Sequence, residues 1–237
     1  MWGFLAKLFK RTAAIATQKP DAKPSGIVLS DDDAQWIVEL ETGGPEYYAM
    51  KLGRPSWPGE ASGVTIGVGY DCGYNSPAEI RRDWGKHISR DALESLGSTS
   101  GIRGTAAYSR AWDLQWIKIP LDTAIKVFQN RTLPRFVSMT SQAYPGAELL
   151  PPGTRAALVS LVFNRGTGMS GARRAEMRSI QMLVCDYAKP GATDAQRWEI
   201  IKKIASQFRR MKRIWPHSQG LQNRREKEAR RVESDLE

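Results

Sequence analysis

The sequence predicts an α+β fold, with a small antiparallel sheet lobe followed by a larger helical lobe built around a central buried helix. Three observations carry this expectation. Between Tyr47 and Tyr74 glycine recurs at 53, 59, 63, 67, 69 and 73 and proline at 55 and 58, a strand-and-turn texture. Downstream, segments with helical periodicity follow one another, several opened by capping residues. One of them, Arg155 to Phe163, is apolar nearly all round (Ala156, Ala157, Leu158, Val159, Leu161, Val162, Phe163), as a helix at the centre of a lobe must be.

Taken in chain order, residues 1–28 read as a basic amphipathic segment and linker, and 29–237 as the main domain. Trp2, Leu5, Leu8 and Phe9 can share one helical face while Lys7, Lys10 and Arg11 lie elsewhere, a pattern suited to a membrane surface or to a frayed tail. As a secretory signal it reads poorly, because the basic residues follow the apolar ones. Residues 17 to 28 hold two prolines, a glycine and scattered charge, which is linker composition. Ser30 can cap a helix from Asp31 to Glu41, with Asp31, Asp32 and Asp33 at the positive end of its dipole and Gly43-Gly44 to end it. Gly63-Val-Thr-Ile-Gly-Val-Gly-Tyr70 supplies strand and turn within the Tyr47–Tyr74 sheet region.

Ser76-Pro-Ala-Glu opens the next helix with a cap, a proline at the first position and an acid in the first turn. Ser89 to Leu96 forms a short one. Asp122 is expected to cap a longer helix with Ile125, Phe128, Leu133 and Phe136 inward and a kink at Pro134. Pro151-Pro152-Gly153 precedes the central helix, which Arg165-Gly166 ends. Helices over Ala175–Tyr187, Asp194–Arg213 and Gln222–Val232 complete the domain. Segregated sheet and helices suggest two lobes, and a cleft between lobes suits a polymer.

The 237 residues suffice for one substantial domain with an appendage, and 41% hydrophobic against 25% charged residues is ordinary for a globular chain. Eight Trp keep carbohydrate among the ligands, since aromatic faces stack on sugar rings. The net charge of +10 points to an anionic partner such as a bacterial envelope. Eleven basic residues crowd Lys202 to Arg231, opposed only by Glu226 and Glu228, but such a run is more often a solvated helix face than a binding site. No zinc-finger, zipper or RNA-recognition signature accompanies it, so no nucleic-acid partner is expected. Cys72 and Cys185 lack metal spacing and allow one long-range disulfide, and His87 and His217 show no ligand pattern, so neither metal nor cofactor is expected. No run reaches the ~20 apolar residues of a membrane span.

Two acids stand where secondary structure ends. Glu41 closes a helix against a glycine turn, and Asp71 follows a glycine-rich strand. Cleavage of a glycosidic bond needs one carboxyl that donates a proton to the leaving oxygen and one that is ionised, to attack or to activate water. A glutamate shielded by apolar neighbours suits the first task. By itself, a glutamate at a helix end is far more often a plain surface residue, and an aspartate after a strand more often caps a turn.

Thr65-Ile-Gly-Val-Gly-Tyr-Asp71 resembles the Thr-Ile-Gly-x-Gly motif of phage-type (T4 lysozyme-like) muramidases. Ile37-Val-Glu-Leu-Glu41 is similar to that family's stretch ending in its catalytic Glu, and Ala157-Leu-Val-Ser-Leu-Val-Phe-Asn-Arg-Gly166 to its buried helix ending in Phe-Asn-x-Gly. Ile119 to Phe128 resembles its long central helix, and Gly220-Leu-Gln-Asn-Arg-Arg-Glu-Lys-Glu-Ala229 its C-terminal signature. The likeness spans roughly residues 30 to 232. It implies a lysozyme-like fold and hydrolysis of the β-1,4 bond between N-acetylmuramic acid and N-acetylglucosamine of peptidoglycan. Glu41 would be the general acid, Thr65 would position water, and Phe163 and Asn164 would bind substrate.

The second acid departs from the best-known pattern, whose Asp stands six residues before the Thr; Gly59 occupies that place and Glu60 follows it. The subgroup resembling the pesticin catalytic domain has its Asp six residues after the Thr, which is Asp71 here, so Asp71 is preferred over Glu60. The resemblance also implies a monomeric lytic enzyme that reaches the wall from a host cytoplasm through the periplasm, from a virion or by secretion. Residues 1–16 would be free to contact anionic lipid or lipopolysaccharide. Competing expectations on this fold are a lytic transglycosylase, a chitinase, or a wall-binding virion protein without catalysis.

Overall fold

The computed structural model describes residues 26–237. The amphipathic segment 1–16 and most of the linker therefore lie outside the described residues. The described chain holds ten helices of seven or more residues and one two-stranded antiparallel sheet, compatible with an α+β fold. None of these helices is long and apolar enough to cross a membrane. The described residues divide into two compact units, 34–137 and a second made of 26–33 with 138–237.

The unit 34–137 carries the sheet. Helix α1 (Asp31–Thr42) enters it. Ser30 caps α1 as expected: its hydroxyl accepts from the Asp33 amide at 3.1 Å, and the Asp33 carboxylate accepts from the Ser30 hydroxyl at 2.7 Å. Gly43 (φ 63°) ends it, its amide bonded to the Glu39 carbonyl at 3.0 Å. The sheet region is smaller than Tyr47–Tyr74. Pro45–Tyr47 and Tyr48–Leu52 are helical, the second as a π turn held by the buried Tyr48, whose hydroxyl donates to the Ile119 carbonyl at 3.0 Å. That tertiary anchor, invisible to local pattern, overrides the glycine-rich texture there.

Strands β1 (Thr65–Ile66) and β2 (Tyr70–Asp71) follow as a tight hairpin. Helix α2 (Pro77–Trp84) opens with a complete capping box between Ser76 and Glu79, and α3 (Arg90–Gly97) is capped by Ser89. Helix α4 (Thr105–Asp113) was not anticipated: it starts at Gly104 without a side-chain cap, so it leaves no local start signal. Helix α5 (Leu121–Val127) corrects the expected cap at Asp122. Pro120 occupies the N-cap with φ −61° and ψ 145°, and Asp122 lies within the first turn. A π turn over Phe128–Thr132 then leads into α6 (Leu133–Ala143). Pro134 has no N–H to give the preceding turn and its ring crowds the Asn130 carbonyl, so the ladder widens to a π turn where a simple kink was expected.

In the second unit, α7 (Pro152–Arg165) is the expected central helix: Ala156, Ala157, Leu158, Val159, Leu161 and Val162 are all fully buried. The Asp235 carboxylate caps its start, accepting from the Gly153 and Thr154 amides at 2.9 and 2.6 Å. A side chain at Gly153 would stand 2.3 Å from the Arg231 carbonyl, which explains the glycine after two prolines. Helices α8 (Ala175–Tyr187), α9 (Asp194–Arg210) and α10 (Gln219–Glu233) pack in sequence, with α10 against α7. Helix α9 stops three residues before the expected Arg213, where the chain tightens to a 3-10 turn over Met211–Ile214.

The basic run of this unit is largely spoken for. Lys202, Arg209, Lys212, Arg213, Arg224, Arg225, Arg230 and Arg231 each pair with a carboxylate. Four of these residues (Lys202, Arg224, Arg225 and Arg230) pair within their own helix, and four (Arg209, Lys212, Arg213 and Arg231) pair with carboxylates of other elements. Both cysteines are free thiols; Cys72 is buried, and burial pushes its pKa up to about 12, while Cys185 is exposed.

Candidate active site

Glu41 stands in the last turn of α1 and is half-buried. One turn back on the same face lie Ile37 and Val38, both in the core. The helix end beneath it is tied down twice. The buried Thr42 hydroxyl donates to the Val38 carbonyl at 2.8 Å, and the left-handed Gly43-Gly44 pair turns the chain sharply away.

The hairpin brings two other expected residues together. In the antiparallel register Thr65 pairs with Asp71 and Ile66 with Tyr70. Directly opposed residues project to the same face, with Cβ atoms about 4.5–5.5 Å apart. The threonine and the aspartate, six apart in sequence, are therefore neighbours in space.

The Thr-Ile-Gly-Val-Gly motif has a physical reading in this hairpin. Gly67 and Gly69 both take left-handed backbone (φ 57° and 66°), as a three-residue turn between such short strands requires. Gly67 also lies against Trp84, where a Cβ would come within 2.9 Å of the ring. Ile66, Val68 and Tyr70 are buried. Tyr70 meets Trp84 edge-on at 5.6 Å and donates to the buried Asp83 carboxylate at 3.1 Å; burial and Asp83 together push its pKa far up. The inward face of the hairpin is thus pinned, which fixes the outward presentation of Thr65 and Asp71.

Asp71 does two local jobs. Its Oδ1 accepts from the Gly73 amide at 2.8 Å, capping a 3-10 turn over Cys72–Tyr74, and both oxygens accept from the Gly63 amide, at 3.1 and 2.9 Å. So close is Gly63 that a Cβ there would stand 2.4 Å from Oδ1. Two N–H donors do not exhaust a carboxylate, which offers about four lone-pair sites. The side chain remains partly exposed, with capacity to accept from water.

Thr65 is held from the other side. Its amide and carbonyl both pair with Ser56, at 2.8 and 2.9 Å, and its hydroxyl donates to the Gly63 carbonyl at 3.3 Å. Glu60, the competing second acid, lies outside the hairpin, on an exposed turn with left-handed backbone (φ 50°). The recurrence of glycine around the aspartate is the sequence signal for Gly63 and Gly73; Ser56 leaves none.

Phe163 and Asn164 belong to the second unit, in the last turn of α7. Phe163 is half-buried. Asn164 is exposed, and its Oδ1 accepts from the fully buried Arg225 at 3.2 Å. Asn164 also lines a concavity of about 530 Å³ with Arg165, Arg173, Arg174 and Trp215. The Arg165 guanidinium lies over the Trp215 ring at 5.0 Å. Its burial, with Arg174, Arg225 and Arg173 nearby, lowers its pKa to about 10. Such a pocket offers guanidinium donors and an aromatic wall to a carboxylate or phosphate. Among the described residues no group of three or more His, Cys, Asp or Glu could hold a metal ion. Neither the scan against protein-family models nor the search of curated proteins matches this sequence.

Proposed function

We propose that this chain is a peptidoglycan hydrolase with a lysozyme-like fold, an N-acetylmuramidase that cleaves the β-1,4 bond between N-acetylmuramic acid and N-acetylglucosamine. The observation that carries this reading is the cross-strand pairing of Thr65 with Asp71, on a hairpin whose other face is locked in the core. In the proposed reaction the Glu41 carboxyl gives its proton to the glycosidic oxygen as the bond to the anomeric carbon breaks. A water held by the Thr65 hydroxyl and Asp71 attacks that carbon from the opposite face and passes a proton to Asp71. The anomeric configuration inverts, and the products are a new reducing muramic acid end and an N-acetylglucosamine end whose freed 4-hydroxyl carries the proton from Glu41. Within the second unit, the family resemblance assigns substrate contacts to Phe163 and Asn164, and the arginines beside Asn164 suit a carboxylate.

Zymography against purified peptidoglycan tests the reading. The wild-type chain clears the gel, and Glu41→Gln, which cannot donate the proton, loses about 10²-fold or more of the activity. Product analysis separates hydrolysis from transglycosylation, since a reducing muramic acid end supports the reading and an anhydro end overturns it.

A further inference from the structure

A second aromatic feature lies beside the hairpin, in the same unit. Helix α4 buries Ala107 and Ala111 and turns its large side chains outward, leaving Tyr108 58% and Trp112 72% exposed. These two are one turn apart on one face. Trp57 closes the other side: its ring meets Tyr108 edge-on at 5.8 Å, and its indole N–H is fixed by the Ser62 carbonyl at 3.0 Å. The three rings, together with Lys51 and Arg54, line a pocket of about 190 Å³. Large exposed aromatics clustered around a concavity mark a binding site more often than chance exposure. Ser56 also lines this pocket, and it is the residue whose backbone pairs in both directions with Thr65. One strand edge therefore joins the pocket to the hairpin that carries Thr65 and Asp71.

From this juxtaposition we propose that Trp57, Tyr108 and Trp112 form an accessory saccharide subsite, which grips a pyranose ring of the same glycan strand away from the bond cleaved. A pyranose has an apolar C–H face that suits the rings and a hydroxyl rim that suits Lys51 and Arg54. The strand that ties the pocket to Thr65 favours a linear polymer lying over both places. The inference rests on the proposed muramidase reading for its choice of glycan, and the test keeps the two apart.

Binding of chitotetraose and of purified sacculi is measured by calorimetry and pull-down on the full chain carrying Glu41→Gln, so that no turnover intervenes. Trp112→Ala, with Trp116→Ala as a control at an exposed tryptophan outside the pocket, is compared in that background. Removing one stacking ring is expected to weaken saccharide binding about three- to tenfold, while Trp116→Ala leaves it unchanged. In the active chain Trp112→Ala is expected to raise KM on sacculi with little change in kcat. Equal binding by Trp112→Ala and the parent overturns the subsite, whatever the lytic activity. Trp112-dependent binding of a single-stranded oligonucleotide in place of chitotetraose overturns it in favour of a base-stacking site. Trp112-dependent binding of sacculi by a chain that shows no hydrolysis keeps the subsite and sinks the muramidase reading.

Discussion

Asp71→Asn separates the two duties of this residue. The carboxylate accepts from the Gly63 and Gly73 amides. Bonds to an ionised acceptor are worth about 1.5–3 kcal/mol each and neutral ones about 0.5–1.5. Neutralising the acceptor therefore loses about 1 kcal/mol per bond, about 2 kcal/mol for the two donors. For a chain of this size each kcal/mol moves Tm by about 2–4 °C, so the variant should melt roughly 4–8 °C lower. It should still fold, because the hairpin's inward face (Ile66, Val68, Tyr70) is untouched. Activity is then measured on sacculi well below both melting temperatures, where the loss of the water-activating acid should cost about 10²-fold or more in kcat. Glu60→Gln, on its exposed turn, should change neither quantity. An unchanged Tm for Asp71→Asn would refute the cradle argument. A folded Asp71→Asn with wild-type turnover would refute Asp71 as second acid, and a dead Glu60→Gln beside it would transfer that role to Glu60.

Other consequences follow from the same geometry. Proton NMR of fresh digests should show the α-anomer of the new reducing end first; an initial β-anomer would mean retention and a nucleophilic Asp71. Gly67→Ala puts a side chain at φ 57° and against Trp84, so it should cost about 1–3 kcal/mol, and calorimetry showing no loss would deny the strain. Hydrogen bonds from Arg209 and then Lys212 hold the Glu226 pKa down to about 2. A depressed folded pKa means stabilisation present above the usual carboxylate range, near 4.5, and lost as pH falls toward 2. Glu226→Gln should therefore cost about 1 kcal/mol at pH 7, as suits a network near the surface, and narrow the gap to wild type between pH 4.5 and 2. A gap independent of pH would show that Glu226 acts by packing alone.

The fold was most legible where local chemistry decides it. Ser30, Ser76 and Ser89 announce their helices because a cap satisfies an orphan amide within three residues, and the all-apolar run of α7 announces its own burial. Legibility failed where distant partners decide. Tyr48 reaches Ile119 to make Pro45–Leu52 helical, and α4 begins at a glycine with no capping side chain. The basic run shows the limit in part: charge counted along the chain suggested a solvated helix face, while Arg209, Lys212, Arg213 and Arg231 pair with carboxylates of other elements.

The candidate site divides along the same line. The sequence by itself determined which groups are present: a helix-ending Glu41, a Thr-Ile-Gly-Val-Gly hairpin, and an aspartate six residues after the threonine. These are properties of short segments, set by capping and by the left-handed preference of glycine. Tertiary structure alone decided that Thr65 and Asp71 pair across the hairpin, that Glu60 stands exposed outside it, and that Trp57 and Tyr108, fifty-one residues apart in sequence, share a pocket wall. Register, backbone approach and ring contact depend on which distant groups exclude water together, and that is a property of the packed chain.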